Sequence, residues 1–305
     1  MTPTSATVEI IECMVRQEAF YHPPGMDEDP TSERFSPVGV ESRGRMLNFF
    51  YDLLGKIGSS RETAEIAVSY LDRFLATPGL GNQALCNKKL FQLVSTTCLY
   101  TAVKVHEVQA MTPKLMADLS HGVFTAEEVE EMEMILVQAL KWRLNPPTSL
   151  AFVRQFLDLV PAKAMTREMK RTAYDLARHQ TELAHEDPRL FCEKKSLVAY
   201  MAVQNTLEQL DVPFNLADSV GVLLLGTHST QEMSSYRYGS LQSMMQLRLT
   251  SKLGRFLPSF MSFPSSTAPS SIRKRSASWL STPIQQYDES PRSVHNNALA
   301  EPSKA

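Results

Sequence analysis

At 305 residues the chain has the length of about two ordinary domains, and its 43% hydrophobic fraction is enough to bury a sizeable core. The formal net charge of −2 gives no argument for a polyanionic partner. A nucleic-acid binder more often carries a basic domain or stripe, so no direct nucleic-acid contact is expected.

The four cysteines, Cys13, Cys86, Cys98 and Cys192, include no C-x-x-C pair and no nearby His at metal spacing. Cys98 lies in an apolar run and reads as a buried free thiol. This usage fits a reducing compartment. The longest purely apolar runs, such as Val220-Gly221-Val222-Leu223-Leu224-Leu225, are far short of the roughly 20 residues that span a bilayer. The first eleven residues lack the basic-then-apolar layout of a signal peptide. The expectation is a soluble, intracellular protein with no membrane partner.

In chain order, residues 8–21 place Val8, Ile11, Val15 and Phe20 on one side of a short amphipathic helix. Residues 22–41 hold Pro23, Pro24, Pro30 and Pro37 without a period, and are predicted to be irregular. A helix over 43–57 buries Met46, Phe49, Phe50, Leu53, Leu54 and Ile57, and Gly58 ends it. Ser59 with Glu62 forms a predicted capping box for a second helix, to about residue 75, with Ile66, Ala67, Tyr70, Leu71 and Phe74 inward. Pro78-Gly79 breaks the chain. Residues 88–106 are apolar almost all round, the pattern of a central helix.

Thr112-Pro113 opens a short helix to residue 119. Thr125 with Glu128 caps a fifth, to about residue 141, with Val129, Met132, Ile135, Leu136, Ala139 and Leu140 inward. Asn145-Pro146-Pro147 stops it. Further helices are predicted at 148–159, 165–185, 192–209, 214–226 and 229–251, a loose repeat of the same plan. After Gly254 serine and proline dominate. Such a segment buries too little to offset its ordering entropy and is predicted to be disordered. The pattern alone gives an all-α protein of two domains.

Function enters through a resemblance. Arg43, Phe49, Glu62-Thr63 and Asp72-Arg73-Phe74 resemble, at matching spacing, the opening of a cyclin box. Leu90-Phe91-Gln92-Leu93-Val94, Ala102-Val103-Lys104, Met132-Glu133 and Leu140-Lys141-Trp142 are similar to later motifs of that family, and Pro147-Thr148-Ser149 to its inter-box Pro-Thr. The close likeness covers about 100 residues; the second box rests on helix layout and on Leu190 to Tyr200. Arg16-Gln17-Glu18, Tyr21 and Pro23-Pro24 are loosely similar to cyclins of algae and plants.

The resemblance implies two tandem five-helix cyclin-box domains, at 43–146 and 147–253, after an N-terminal helix and linker (1–42) and before a tail (254–305). It implies a regulatory subunit that binds and activates a cyclin-dependent Ser/Thr protein kinase in cell-cycle progression, is not itself an enzyme, needs no cofactor or metal, and works in nucleus and cytoplasm. Arg43 and Asp72 are then a structural pair. Lys104 and Glu133 are the polar anchors for backbone groups of the kinase, with Val105, Leu136, Val137, Trp142 and Leu144 as apolar contacts. A Lys has three donors and a carboxylate accepts N–H groups, so both suit backbone targets. Read without the family, Lys104 simply complements its helix dipole, Glu133 is one acid among several, and Trp142 is a core aromatic at a helix end.

Phe49, Asp52, Phe91 and Gln92 match a patch that captures Arg-x-Leu motifs of substrates or inhibitors, although Ser42 and Arg45 replace apolar residues there. The N-terminal arm holds neither an Arg-x-x-Leu destruction box nor a Leu-x-Cys-x-Glu motif, and Leu190-Phe191-Cys192-Glu193 has the wrong spacing and falls in a predicted helix. In the tail, Ser276 and Ser278 follow the basic run Arg273-Lys274-Arg275, and Thr282 and Ser290 each precede a proline, so all four are candidate phosphorylation sites. The alternatives are a cyclin-fold scaffold and a transcription adaptor without kinase activation. An adaptor of the transcription factor IIB type needs a basic face and usually a zinc ribbon, and neither is present. An enzyme has no phosphate loop, metal cluster or nucleophile elbow to recommend it; His106, His121 and His185 read as surface or satisfied histidines.

Overall fold

The computed structural model describes residues 4–22, 37–108, 111–187, 190–191 and 193–225. Among them there are eleven α-helices and no strand, so the chain is all-α. The helices are α1 (Thr4–Glu18), α2 (Pro37–Ile57), α3 (Glu62–Leu75), α4 (Leu80–Cys86), α5 (Lys88–His106), α6 (Pro113–Leu119), α7 (Ala126–Ala139), α8 (Ser149–Leu159), α9 (Arg167–Glu186), α10 (Lys195–Gln209) and α11 (Leu216–Leu225). The helix expected at 229–251 and the tail lie outside the described residues.

Side-chain caps set five of the helix starts. Asn87 accepts the Leu90 N–H, Thr112 that of Leu115, Thr148 that of Ala151 and Thr166 that of Met169. Each satisfies one of the amides that a helix start leaves without an intrahelical partner. Thr125 and Glu128 form the full reciprocal box. The Ser59–Glu62 box does not form. Ser60 Oγ accepts the Glu62 N–H, while the Glu62 carboxylate is drawn away to Arg154 and Thr148. Tertiary partners outcompete the local cap. Helix α4, not expected from the pattern, follows the Pro78-Gly79 break so closely that a Cβ on Gly81 would stand 2.5 Å from the Phe74 carbonyl oxygen.

Two buried clusters organise the described residues. The first is built on α5, which packs against α3, α4, α6 and α7. It joins Phe50, Leu54, Tyr70, Leu71, Phe74, Leu99, Val129, Leu136 and Leu140. The second is built on α10 against α8, α9 and α11, and joins Phe152, Phe156, Leu157, Tyr200, Met201 and Leu216. Three of its interior polar groups bind one another: Gln180 donates to Thr206 Oγ1 at 2.9 Å and accepts from Asn205 at 3.1 Å. Ile11 of α1 is fully buried in this second cluster, so the chain's first helix packs with its later helices.

Candidate functional site

The last turn of α5 lies beside α7. Lys104 Nζ donates to both carboxylate oxygens of Glu133, at 2.9 and 3.1 Å. It also lies 5.4 Å from the centre of the Tyr100 ring. The hydrogen bond that Lys104 donates to Glu133 raises its pKa and keeps the ammonium charged. Half of the Lys104 side chain meets solvent, whereas Glu133 is largely covered. An exposed pair of this kind is worth at most about 1 kcal/mol. It can therefore open to exchange its internal bond for outside partners.

Exposed apolar residues stand next to the pair in sequence, and another follows the end of α7. Val105 follows Lys104 and is 48% exposed; Met134 and Ile135 follow Glu133 at 53% and 37%. Trp142 is 69% exposed. Its presentation follows from the end of α7. Lys141 takes φ 53° and Trp142 φ 60°, and the Trp142 N–H bonds back to the Val137 carbonyl at 3.0 Å. This is a Schellman-type closure, which usually uses glycine at the left-handed position. Residues 142–144 then turn back toward α5, where the Leu144 carbonyl accepts from Tyr70 and from His106 Nε2. Arg73 anchors the same turn by donating to the carbonyls of Leu140 and Arg143.

The expected contacts do not all reach this surface. Leu136 and Val137 are buried, Leu136 completely, on the stripe with Val129, Met132 and Leu140. They support the surface from beneath and offer a partner no side-chain area. Leu144 is half-buried against the first cluster. Ile135, expected inward, faces out, and Met134 was not singled out. Helical phase could have found Met134: two residues from both Met132 and Leu136, it points away from the buried stripe.

Arg43 and Asp72 pair in fork geometry, Nε and Nη2 each donating at 2.8 Å. Arg43 has two further contacts that the pattern does not reveal. Nη1 donates to the His185 carbonyl at 2.8 Å, and the guanidinium lies 4.1 Å over the Phe191 ring. One residue thus ties α2 and α3 to the end of α9. His185 is itself buried, so of the two readings given for it the surface one does not apply.

In the proposed Arg-x-Leu patch, Asp52 is exposed and Phe49 half-buried, but Phe91 is buried in the first cluster and Gln92 only partly exposed. Arg45 is exposed and bound to Glu41 at 2.5 Å. Ser276, Ser278, Thr282 and Ser290 lie outside the described residues. Among the described residues no group of His, Cys, Asp or Glu could hold a metal ion, and no helix is long and apolar enough to cross a membrane.

Residues 9–145, from within α1 through α7, match the model of the cyclin N-terminal domain. The chain carries a cyclin N-terminal domain. Cyclins are regulatory subunits. The chain is 29% identical over 139 residues to the G1/S-specific cyclin-E of Caenorhabditis elegans, covering 44% of this chain and 26% of that one. It is 29% identical over 183 residues to Cyclin-A1-2 of Arabidopsis thaliana, covering 59% and 40%. The chain thus spans less than half the length of either relative. A solved viral cyclin of herpesvirus saimiri aligns with a TM-score of 0.49 at 19% identity, over 68% of this chain and 85% of that one.

Proposed function

We propose that this chain is a cyclin that docks on a cyclin-dependent Ser/Thr protein kinase and activates it, and that it has no catalytic activity of its own. The observation that carries the reading is the Lys104–Glu133 pair, held at the surface, with exposed Val105, Met134 and Ile135 next to it in sequence and exposed Trp142 just past α7. Two polar anchors on helices that also expose apolar residues make a workable interface, and a projecting Trp is a frequent hot spot. Lys104 donates to carbonyls near the kinase's mobile C helix, and Glu133 accepts N–H groups there. Backbone targets make the grip tolerant of kinase sequence.

The mechanism is differential affinity. The cyclin binds the state in which the C helix is turned inward, so that the kinase's own Lys–Glu pair forms and the activation loop admits substrate. The kinase supplies the ATP chemistry. Residues 43–146 and 147–253 act as tandem cyclin boxes, with the docking surface on the first, in nucleus and cytoplasm. The test is capture from cell extract by the wild type and by a Lys104→Glu, Glu133→Ala double variant, with bound histone-kinase activity measured. The expected result is activity with the wild type and at least a tenfold loss with the variant. Equal activity in both would move the interface elsewhere. No activity in either, with the proteins folded, would overturn the reading.

A further inference from the structure

The buried polar groups between the two clusters take no part in the docking surface. Glu65 of α3 is 5% exposed, and its Oε1 accepts the N–H of Ser149, first residue of α8, at 2.6 Å. The same oxygen lies 3.3 Å from Nε2 of His185, in the last turn of α9. Arg43 holds the His185 carbonyl. Along the same seam Arg61 pairs with Glu182 in fork geometry at 2.8 and 2.9 Å, and Glu62 binds Arg154 and Thr148. The first turns of α3, with Arg43, therefore carry ties from the first cluster to α8 and α9.

His185 is 3% exposed. A carboxylate only accepts, so the contact with Glu65 places the imidazole proton on Nε2. Nδ1 is left as the unprotonated nitrogen and is buried without a hydrogen-bond partner among the described residues. The charged groups that act on the ring come from three helices: Glu65 of α3, Arg43 of α2 and Lys195 of α10; Asp72 of α3 is paired with Arg43, and Glu18 of α1 is bound to Ser196. Glu65 and Asp72 already have cations beside them in Lys195 and Arg43. A proton on Nδ1 would thus add a buried cation near Arg43 and Lys195, its N–H without an acceptor among the described residues. Burying an unpaired charge is costly, and the cost is relieved by admitting water. A cavity of about 40 Å³ lined by Glu65, Asp72, Phe191 and Lys195 lies on the seam and gives water a foothold.

We propose that His185 is an acid-sensitive latch between the two clusters: neutral, it holds α3 against α8 and α9; protonated on Nδ1, it opens the seam while each cluster stays folded. Burial lowers the pKa of the imidazole, the opposing pull of the Glu65 carboxylate being the weaker influence. With the folded value depressed, the contribution to stability is complete above the unfolded value of about 6.5 and is lost as pH falls below it.

The experiment uses the full chain with spin labels at Cys86, exposed on α4, and at Lys163→Cys, exposed between α8 and α9, in a Cys13→Ser, Cys192→Ser background. Pulsed dipolar distances and helical circular dichroism are recorded between pH 7.5 and 4.5. The expected result is a narrow distance distribution at pH 7.5 that broadens on acidification with helicity retained. His185→Gln keeps a donor toward Glu65 and cannot titrate, so its distribution should stay narrow throughout. An unchanged wild-type distribution down to pH 4.5, or equal broadening in His185→Gln, would overturn the latch. If His185→Gln fails to fold, NMR titration of the wild-type His185 ring decides: its midpoint must coincide with the broadening, and a separate midpoint sinks the proposal.

Discussion

Two ion pairs of similar chemistry sit in opposite surroundings. Arg43–Asp72 is buried, with side chains 6% and 9% exposed, and the guanidinium is engaged by two carboxylate oxygens, a carbonyl and an aromatic ring. Lys104–Glu133 stands at the surface, with the Lys side chain 53% exposed and its ammonium held by the Glu133 carboxylate beside the Tyr100 ring. The first arrangement cannot change partners without leaving a desolvated charge behind. The second can, because water compensates while the bond is open. Burial thus separates a residue that holds the architecture from one free to bind elsewhere, although sequence marks both as charged helix positions.

The contrast can be broken most forcefully at Arg43. Arg43→Ala leaves Asp72 buried and unpaired, and the expected loss is about 3–5 kcal/mol in urea unfolding. A loss below about 1 kcal/mol would mean that the seam is solvated and the contrast unfounded.

Acid titration probes the same seam through Glu65. Burial alone would raise its carboxyl pKa, but His185, Lys195 and the Ser149 N–H more than offset this and hold it at about 2. A depressed folded value means that the stabilisation is present above the unfolded value, near 4.5, and is lost as pH falls toward 2. The expected loss across that window is about 3 kcal/mol. Urea midpoints of the wild type should fall between pH 5 and 3, and those of Glu65→Gln should fall less.

At the surface pair the expectation reverses. Lys104→Glu with Glu133→Ala should change unfolding stability by no more than about 1 kcal/mol. It should weaken kinase capture at least tenfold, equivalent to about 1.4 kcal/mol of binding. A large stability loss with capture retained would make the pair structural after all. The smallest effect is expected at Lys141, whose left-handed φ of 53° favours glycine. Lys141→Gly should raise the thermal midpoint by a few degrees, from about 1 kcal/mol of relieved strain, and leave capture unchanged.

Much of the helix order is legible in the sequence where the causes are local. The start of α6 and the capping box of α7 follow from Thr112-Pro113 and from Thr125 with Glu128, because each cap is a hydrogen bond within three residues. The Ser59–Glu62 box looks as good on paper and fails, because Arg154 and Thr148, some ninety residues away, hold the Glu62 carboxylate. The docking surface is legible in part. Lys104, Glu133 and Trp142 could be picked out by motif, whereas Leu136 and Val137 could not be told from Met134 and Ile135 by residue type.

The sequence by itself determined that the chain is helical, where several helices begin, and which residues resemble a cyclin box. Periodicity and capping act over a single turn and need no distant partner. Only the tertiary structure decided that Met134 and Ile135 face outward while Leu136 and Val137 are covered, that Ile11 joins the later helices, and that Arg43 and Glu65 clasp the end of α9 and the start of α8. Burial is set by what neighbouring helices bring to a residue, and those neighbours lie beyond any local pattern: Glu65 and Ser149 are 84 positions apart, Arg43 and His185 142.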